Sequence, residues 1–189
     1  MNYFEVFELP RRLAIDAGDL QRRFYELSRQ HHPDFHQAAT PADQAAALER
    51  SALVNVAYRH LRDPIARAEY LVQLEEGRPW REGGRERPKA PPELLAEMFE
   101  IQEVLQEMKL GGLDDATRAG LVSTRDALAE RQQAEERELA ERLSGEWDAA
   151  VGDGRRRALE ALKQALARRA YLRTVIDDLS AAIGEGEGE

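Results

Sequence analysis

One seam of apolar residues limits the choice of folds more than any other feature of this chain. Leu94, Met98, Ile101, Leu105 and Met108 step by four, three, four and three, so they lie on a single face of a helix that must pack against other helices. The rest of the chain agrees. Alanine, leucine, glutamate and arginine are abundant and aromatic residues make up only 6% of the sequence, a balance that favours helices over strands. An all-α fold is expected.

A second helical pattern lies near the N-terminus. Leu20, Phe24 and Leu27 recur at i, i+4 and i+7, on a helix capped by Asp16, with Asp19 in its first turn, and ending near His31. Thr40-Pro41-Ala42-Asp43 then starts a further helix, running to about Leu61 with Leu53, Val56, Ala57 and Leu61 as its stripe. The two should form an antiparallel hairpin, flanked by short helices at Tyr3–Leu9 and after Asp63-Pro64, where Ala68, Leu71 and Val72 face the core. Glycine, proline and charge replace periodicity between Gly77 and Pro92, which marks a linker carrying Trp80. Beyond it the seam helix stops at Gly111-Gly112. Asp114 opens a helix to about Leu143 with Leu121, Leu128 and Leu139 inward, and Gly145 breaks the chain before a last helix from Glu146 to Leu179, whose first turns hold Gly152 and Gly154 and favour a bend or fray there. These three helices make a bundle. The expected organisation is an N-terminal unit over 1–76, a linker over 77–91, a bundle over 92–182 and a disordered acidic tail over 183–189.

The hairpin's tip carries His32-Pro33-Asp34, and polar residues on an exposed tip are where function concentrates. Metal binding is disfavoured there. His31, His32 and His36 cluster with Asp34, but Pro33 denies the pair at i, i+4 a helix to project from, His60 is isolated, and the chain has no cysteine. No nucleophile stands at a defined spacing from the His–Asp pair and no phosphate-binding glycine loop is present, so no catalytic site and no cofactor are expected. A net charge of −9 argues against nucleic acid or an anionic membrane as partner. No apolar run approaches the length of a membrane span and the first residues lack a signal-peptide pattern, so a cytoplasmic protein is expected.

Two faces are candidates for binding. The second helix carries Arg22, Arg23 and Arg29 off its apolar stripe, a basic strip suited to an acidic groove. In the seam helix Leu95 and Phe99 are surplus to the core and lie among Glu97, Glu100 and Glu103. They read either as the flank of a wide core or as an apolar patch with an acidic rim, the form of a protein-binding site. Leu159 in the last helix could extend such a patch.

His-Pro-Asp at a hairpin tip is the mark of J-domains, the modules that make a DnaK-class chaperone hydrolyse ATP. Met1 to Leu9, His31-His32-Pro33-Asp34, Val54-Asn55-Val56-Ala57-Tyr58, Leu61-Arg62-Asp63-Pro64 and Arg67-Ala68-Glu69-Tyr70-Leu71 together resemble the HscB family of J-type co-chaperones in iron–sulfur cluster assembly. The likeness continues through Leu94-Leu95, Phe99-Glu100 and Trp147-Asp148-Ala149-Ala150. The resemblance implies an L-shaped protein, a J-domain joined to a three-helix bundle. It also implies that His32, Pro33 and Asp34 stimulate an HscA-like ATPase, with Arg23 and Arg29 supplying the docking charge. It further implies that Leu95, Ala96, Phe99, Glu100, Glu103 and Leu159 bind an IscU-like scaffold protein. A general J-protein serving a housekeeping chaperone is the alternative. Two departures stand out: Phe35 replaces the lysine that often follows the aspartate, and Ala96 is smaller than the family's frequent apolar residue.

Overall fold

In a computed structural model the structure describes residues 1–36, 40–77, 92–111 and 114–185. The described residues form helices α1 (Tyr3–Val6), α2 (Ala17–Gln30), α3 (Pro41–Arg62), α4 (Pro64–Glu76), α5 (Pro92–Gly111), α6 (Asp115–Glu138), α7 (Ser144–Ala149) and α8 (Asp153–Glu185). A 3-10 turn covers Pro33–His36 and a π-helical stretch Leu139–Leu143. The fold is all-α. It divides into two compact units, Met1–Trp80 with Ala140–Ala158, and Arg81–Leu139 with Leu159–Glu189.

Short-range polar chemistry starts the helices of the first unit. Asn2 and Glu5 form a reciprocal capping box on α1, the Asn2 side chain accepting from the Glu5 N–H and Glu5 accepting from the Asn2 N–H, both at 3.0 Å. Asp16, Thr40 and Asp63 cap α2, α3 and α4, each accepting the N–H three residues on, as expected from their positions. The core then closes on Phe4, Phe7, Leu13, Leu20, Leu61, Ala68 and Leu71, all 1% exposed or less. Phe24 stacks on Tyr58 at 4.0 Å, fastening α2 to α3. On α3 the buried stripe is Ala47, Val54, Ala57 and Leu61; Leu53 and Val56, expected inward, lie half-buried on its flanks.

The stretch Ala140–Ala158, assigned by the sequence to the bundle, packs with this first unit. Trp147 is 1% exposed, with the Arg155 guanidinium 4.2 Å above its ring, and Arg155 pairs with Glu75 at 3.6 Å. Asp148 accepts the backbone N–H groups of Leu13 and Ala14, both at 2.8 Å, and so holds the loop leading into α2. Nearby, buried Arg67 donates to the Leu61 carbonyl at 2.5 Å. Burial pulls the Arg67 guanidinium below its ordinary value, against the opposing pull of Asp63 and Asp148.

Gly145 does not break the chain; it lies inside α7. A lone helical glycine costs about 1 kcal/mol relative to alanine, less than the burial of Trp147 two residues on returns. The turn instead falls at Ala150–Gly152, where Ala150 is extended and Gly152 takes φ +53°, a left-handed conformation suited to glycine. α8 also runs past the expected end, to Glu185, because Ile183 is buried in the bundle core.

The second unit packs Leu94, Ile101 and Leu105 of α5 against Leu121 and Leu128 of α6 and Leu172, Val175, Leu179 and Ile183 of α8, with Met98 partly buried beside them. Polar contacts set the directions. Arg168 and Arg169 of α8 pair with Glu135 and Glu136 at 2.9 and 2.6 Å, while Arg118 reaches the Ile183 carbonyl, so α6 and α8 are antiparallel. Arg131 pairs with Glu97 at 2.7 Å, as an α5–α6 hairpin requires. Gln102 donates to Asp178 at 3.2 Å and sets the level of α5 on α8. Residues 78–91, including Trp80 and most of the expected linker, and the side chain of Met108 lie outside the described residues.

Candidate functional site

Between α2 and α3 the tip is built by a helix stop and a proline start. The His31 N–H still bonds the Leu27 carbonyl at 3.0 Å, and Pro33, which has no N–H to offer, opens the 3-10 turn. The turn is held from within. The Phe35 N–H donates to the His32 carbonyl at 3.0 Å, and the Asp34 N–H donates to His32 Nδ1 at 3.2 Å. An Nδ1 that accepts leaves the ring proton of a neutral imidazole on Nε2. The Asp34 carboxylate, 3.5 Å from Nδ1, keeps 71% of its side chain accessible, and His32 keeps 53%. Both functional groups are thus on offer to another molecule. The Pro33 side chain lies outside what is described. Among the described residues no group of His, Asp and Glu could hold a metal ion.

The three arginines of α2 do not stand alike. Arg22 pairs with Asp19 but is largely exposed. Arg23 is committed to its own unit: Nε bonds Asp19 at 3.0 Å and Nη1 donates to the Phe7 carbonyl at 2.9 Å, tying α2 to the end of α1. Arg29 is exposed and makes no ion pair among the described residues. Residue spacing had grouped the three. Arg23's partner lies in another element, so no pattern within α2 could separate them.

On the second unit Phe99 is 75% exposed, with Ala96 and Glu103 exposed on the same side of α5 and Glu100 exposed at its edge. Leu95, four residues before Phe99, is half-buried against the bundle core and serves partly as packing. Leu159 is not brought to this patch. With Gln102 level with Asp178, Phe99 faces the height of residue 175 on α8, about 24 Å along the helix from Leu159.

The DnaJ domain family matches residues 2–70, a span that contains α1 to α3, the tip and most of α4. Two solved structures share the whole architecture. The chaperone HscB from Vibrio cholerae superposes with a TM-score of 0.63 at 24% identity, covering 98% of this chain and 99% of that one. The human co-chaperone protein HscB gives 0.60 at 22% identity, covering 96% of this chain and 81% of that one. No helix among the described residues is long and apolar enough to cross a membrane. Residues 2–70 are therefore a J domain, and the chain that carries them has the fold of the HscB co-chaperones.

Proposed function

We propose that this chain is a J-type co-chaperone of iron–sulfur cluster assembly. It stimulates the ATPase of a specialised DnaK-class chaperone of the HscA kind and delivers to it a scaffold protein of the IscU kind, in the cytoplasm. The observation that carries the reading is the exposed His32–Asp34 pair on a hairpin tip, within a J domain and an HscB-like fold. The chain's part is to bind and to position. His32, Pro33 and Asp34 engage the ATPase, with Arg22 and Arg29 as the available docking charge and Arg23 holding α2 in place. Ala96, Phe99, Glu100 and Glu103 form the scaffold face, with Leu95 packed on the bundle core at its margin and Leu159 outside it. Carrying both partners on one polypeptide raises their effective concentration for one another.

A single-turnover ATPase assay tests this. Wild-type chain should accelerate hydrolysis, and Asp34→Asn should abolish that while leaving the helical content unchanged. Acceleration retained in Asp34→Asn would reject the assignment. Running an HscA-type and a housekeeping DnaK-class chaperone side by side separates the specialised role from a general one.

A further inference from the structure

Immediately after the tip aspartate, Phe35 exposes 67% of its surface. The ring is not loose. Its backbone N–H is bonded to the His32 carbonyl, and its edge meets the His32 imidazole with centroids 6.2 Å apart and planes at 73°. With Glu26, Arg29 and Gln30 from the last turns of α2 it lines a shallow open depression. Tyr25, 61% exposed, adjoins this face of α2. A phenyl ring held in water adds nothing to folding, whereas an exposed aromatic beside an arginine is the composition of interface anchors.

We infer that Phe35 and Arg29 form a docking contact for the ATPase, set beside the tripeptide and distinct from it. The occupant is the DnaK-class partner, presenting an aliphatic side chain next to a carboxylate. This rests on the co-chaperone reading above. Continuity supports it: Phe35 adjoins Asp34 in the chain and touches His32, so a surface that meets the pair also meets the ring. Charge supports it too. Arg22 and Arg23 share Asp19, whereas Arg29, for which no ion pair is seen among the described residues, is the α2 arginine beside the ring. Apolar burial is not screened by salt, so this contact holds where purely ionic docking weakens.

The test is the same ATPase assay on the full chain, titrated to give the half-saturating concentration and the maximal stimulation separately. Phe35→Ala should raise the half-saturating concentration about tenfold, the equivalent of about 1.4 kcal/mol, with maximal stimulation unchanged. Phe35→Leu should recover most of the loss. Phe35→Ala should leave the dependence of affinity on salt parallel to that of wild type, because the ionic contacts remain. A half-saturating concentration within twofold of wild type overturns the inference. So does a lower maximum at unchanged half-saturation, which would mean that the ring only orders His32. In either case Asp34→Asn abolishing stimulation leaves the co-chaperone reading standing; a wild-type chain that stimulates nothing removes both.

Discussion

The two units of this molecule are held together by different physics. The bundle of α5, α6 and α8 closes on a nine-residue aliphatic cluster, and its inter-helix ion pairs lie at the solvent boundary. The J-domain unit has an apolar core of its own and adds charge to it. Asp148 satisfies two backbone N–H groups from a loop 135 residues earlier, and Arg67 sits inside near Asp63 and Asp148. Aliphatic burial needs only the right residue at the right period, whereas buried polar groups must each find a partner. The first device tolerates change. The second specifies one arrangement of the loop that enters α2, the helix that presents the docking face.

Substitutions can break this contrast. Trp147→Ala should cost the most, about 3–5 kcal/mol, because it empties a fully buried site and removes the ring beneath Arg155. Although Trp147 is far from α3 and α4 in sequence, the amides of those helices should exchange faster. Unchanged exchange there would remove Ala140–Ala158 from the J-domain unit. Leu172→Ala, the matching test in the bundle, should cost about 2–5 kcal/mol and accelerate exchange in α5, α6 and α8. Asp148→Ala follows at about 2–4 kcal/mol, since it orphans the buried Leu13 N–H and removes a charge balancing Arg67. A loss below about 1 kcal/mol in thermal unfolding would show the loop to be held by Leu13 burial alone.

The same contrast decides what the sequence discloses. Helix starts at Asp16, Thr40, Asp63 and Asp114 were legible because a cap acts over three residues, and the seam Leu94, Ile101 and Leu105 because helical period is local. The place of His32-Pro33-Asp34 on a hairpin tip followed from those same signals. What stayed hidden is long-range. Nothing near Asp148 announces the Leu13 and Ala14 amides, and nothing near Arg23 announces the Phe7 carbonyl. Gly145 was misread as a break because its cost is local but the burial of Trp147 that outweighs it is not. Leu95 and Phe99 could each be core flank or exposed patch by angular position alone; the width of the core, set by α6 and α8, half-buries Leu95 and leaves Phe99 out.

Caps give the next step down in magnitude. Asp16→Ala should cost about 1 kcal/mol by leaving the Asp19 N–H without its acceptor. At Asp114 the Thr117 N–H, the first of its hydrogen-bond donors, holds the carboxyl below its ordinary value of 3.8. Its folded-state value is therefore depressed, so its contribution is complete above the unfolded value and is lost as pH falls through the folded one. Amide exchange in the first turn of α6 should rise over that acidic window. Asp114→Asn, still an acceptor but without the titration, should flatten the response.

The smallest effect is the sharpest test of the contrast. Arg131 and Glu97 make a 2.7 Å ion pair that looks as strong on paper as any contact in the first unit, but both side chains are more than a third exposed. In water their attraction is screened and is opposed by the entropy of holding two long side chains in one geometry. A double-mutant cycle with Arg131→Ala and Glu97→Ala should give a coupling of about 0.2–1 kcal/mol that shrinks as salt is added. A coupling near that of Asp148 and the loop, insensitive to salt, would mean that the bundle too depends on polar specificity. The split between an aliphatic unit and a charge-locked one would then fail.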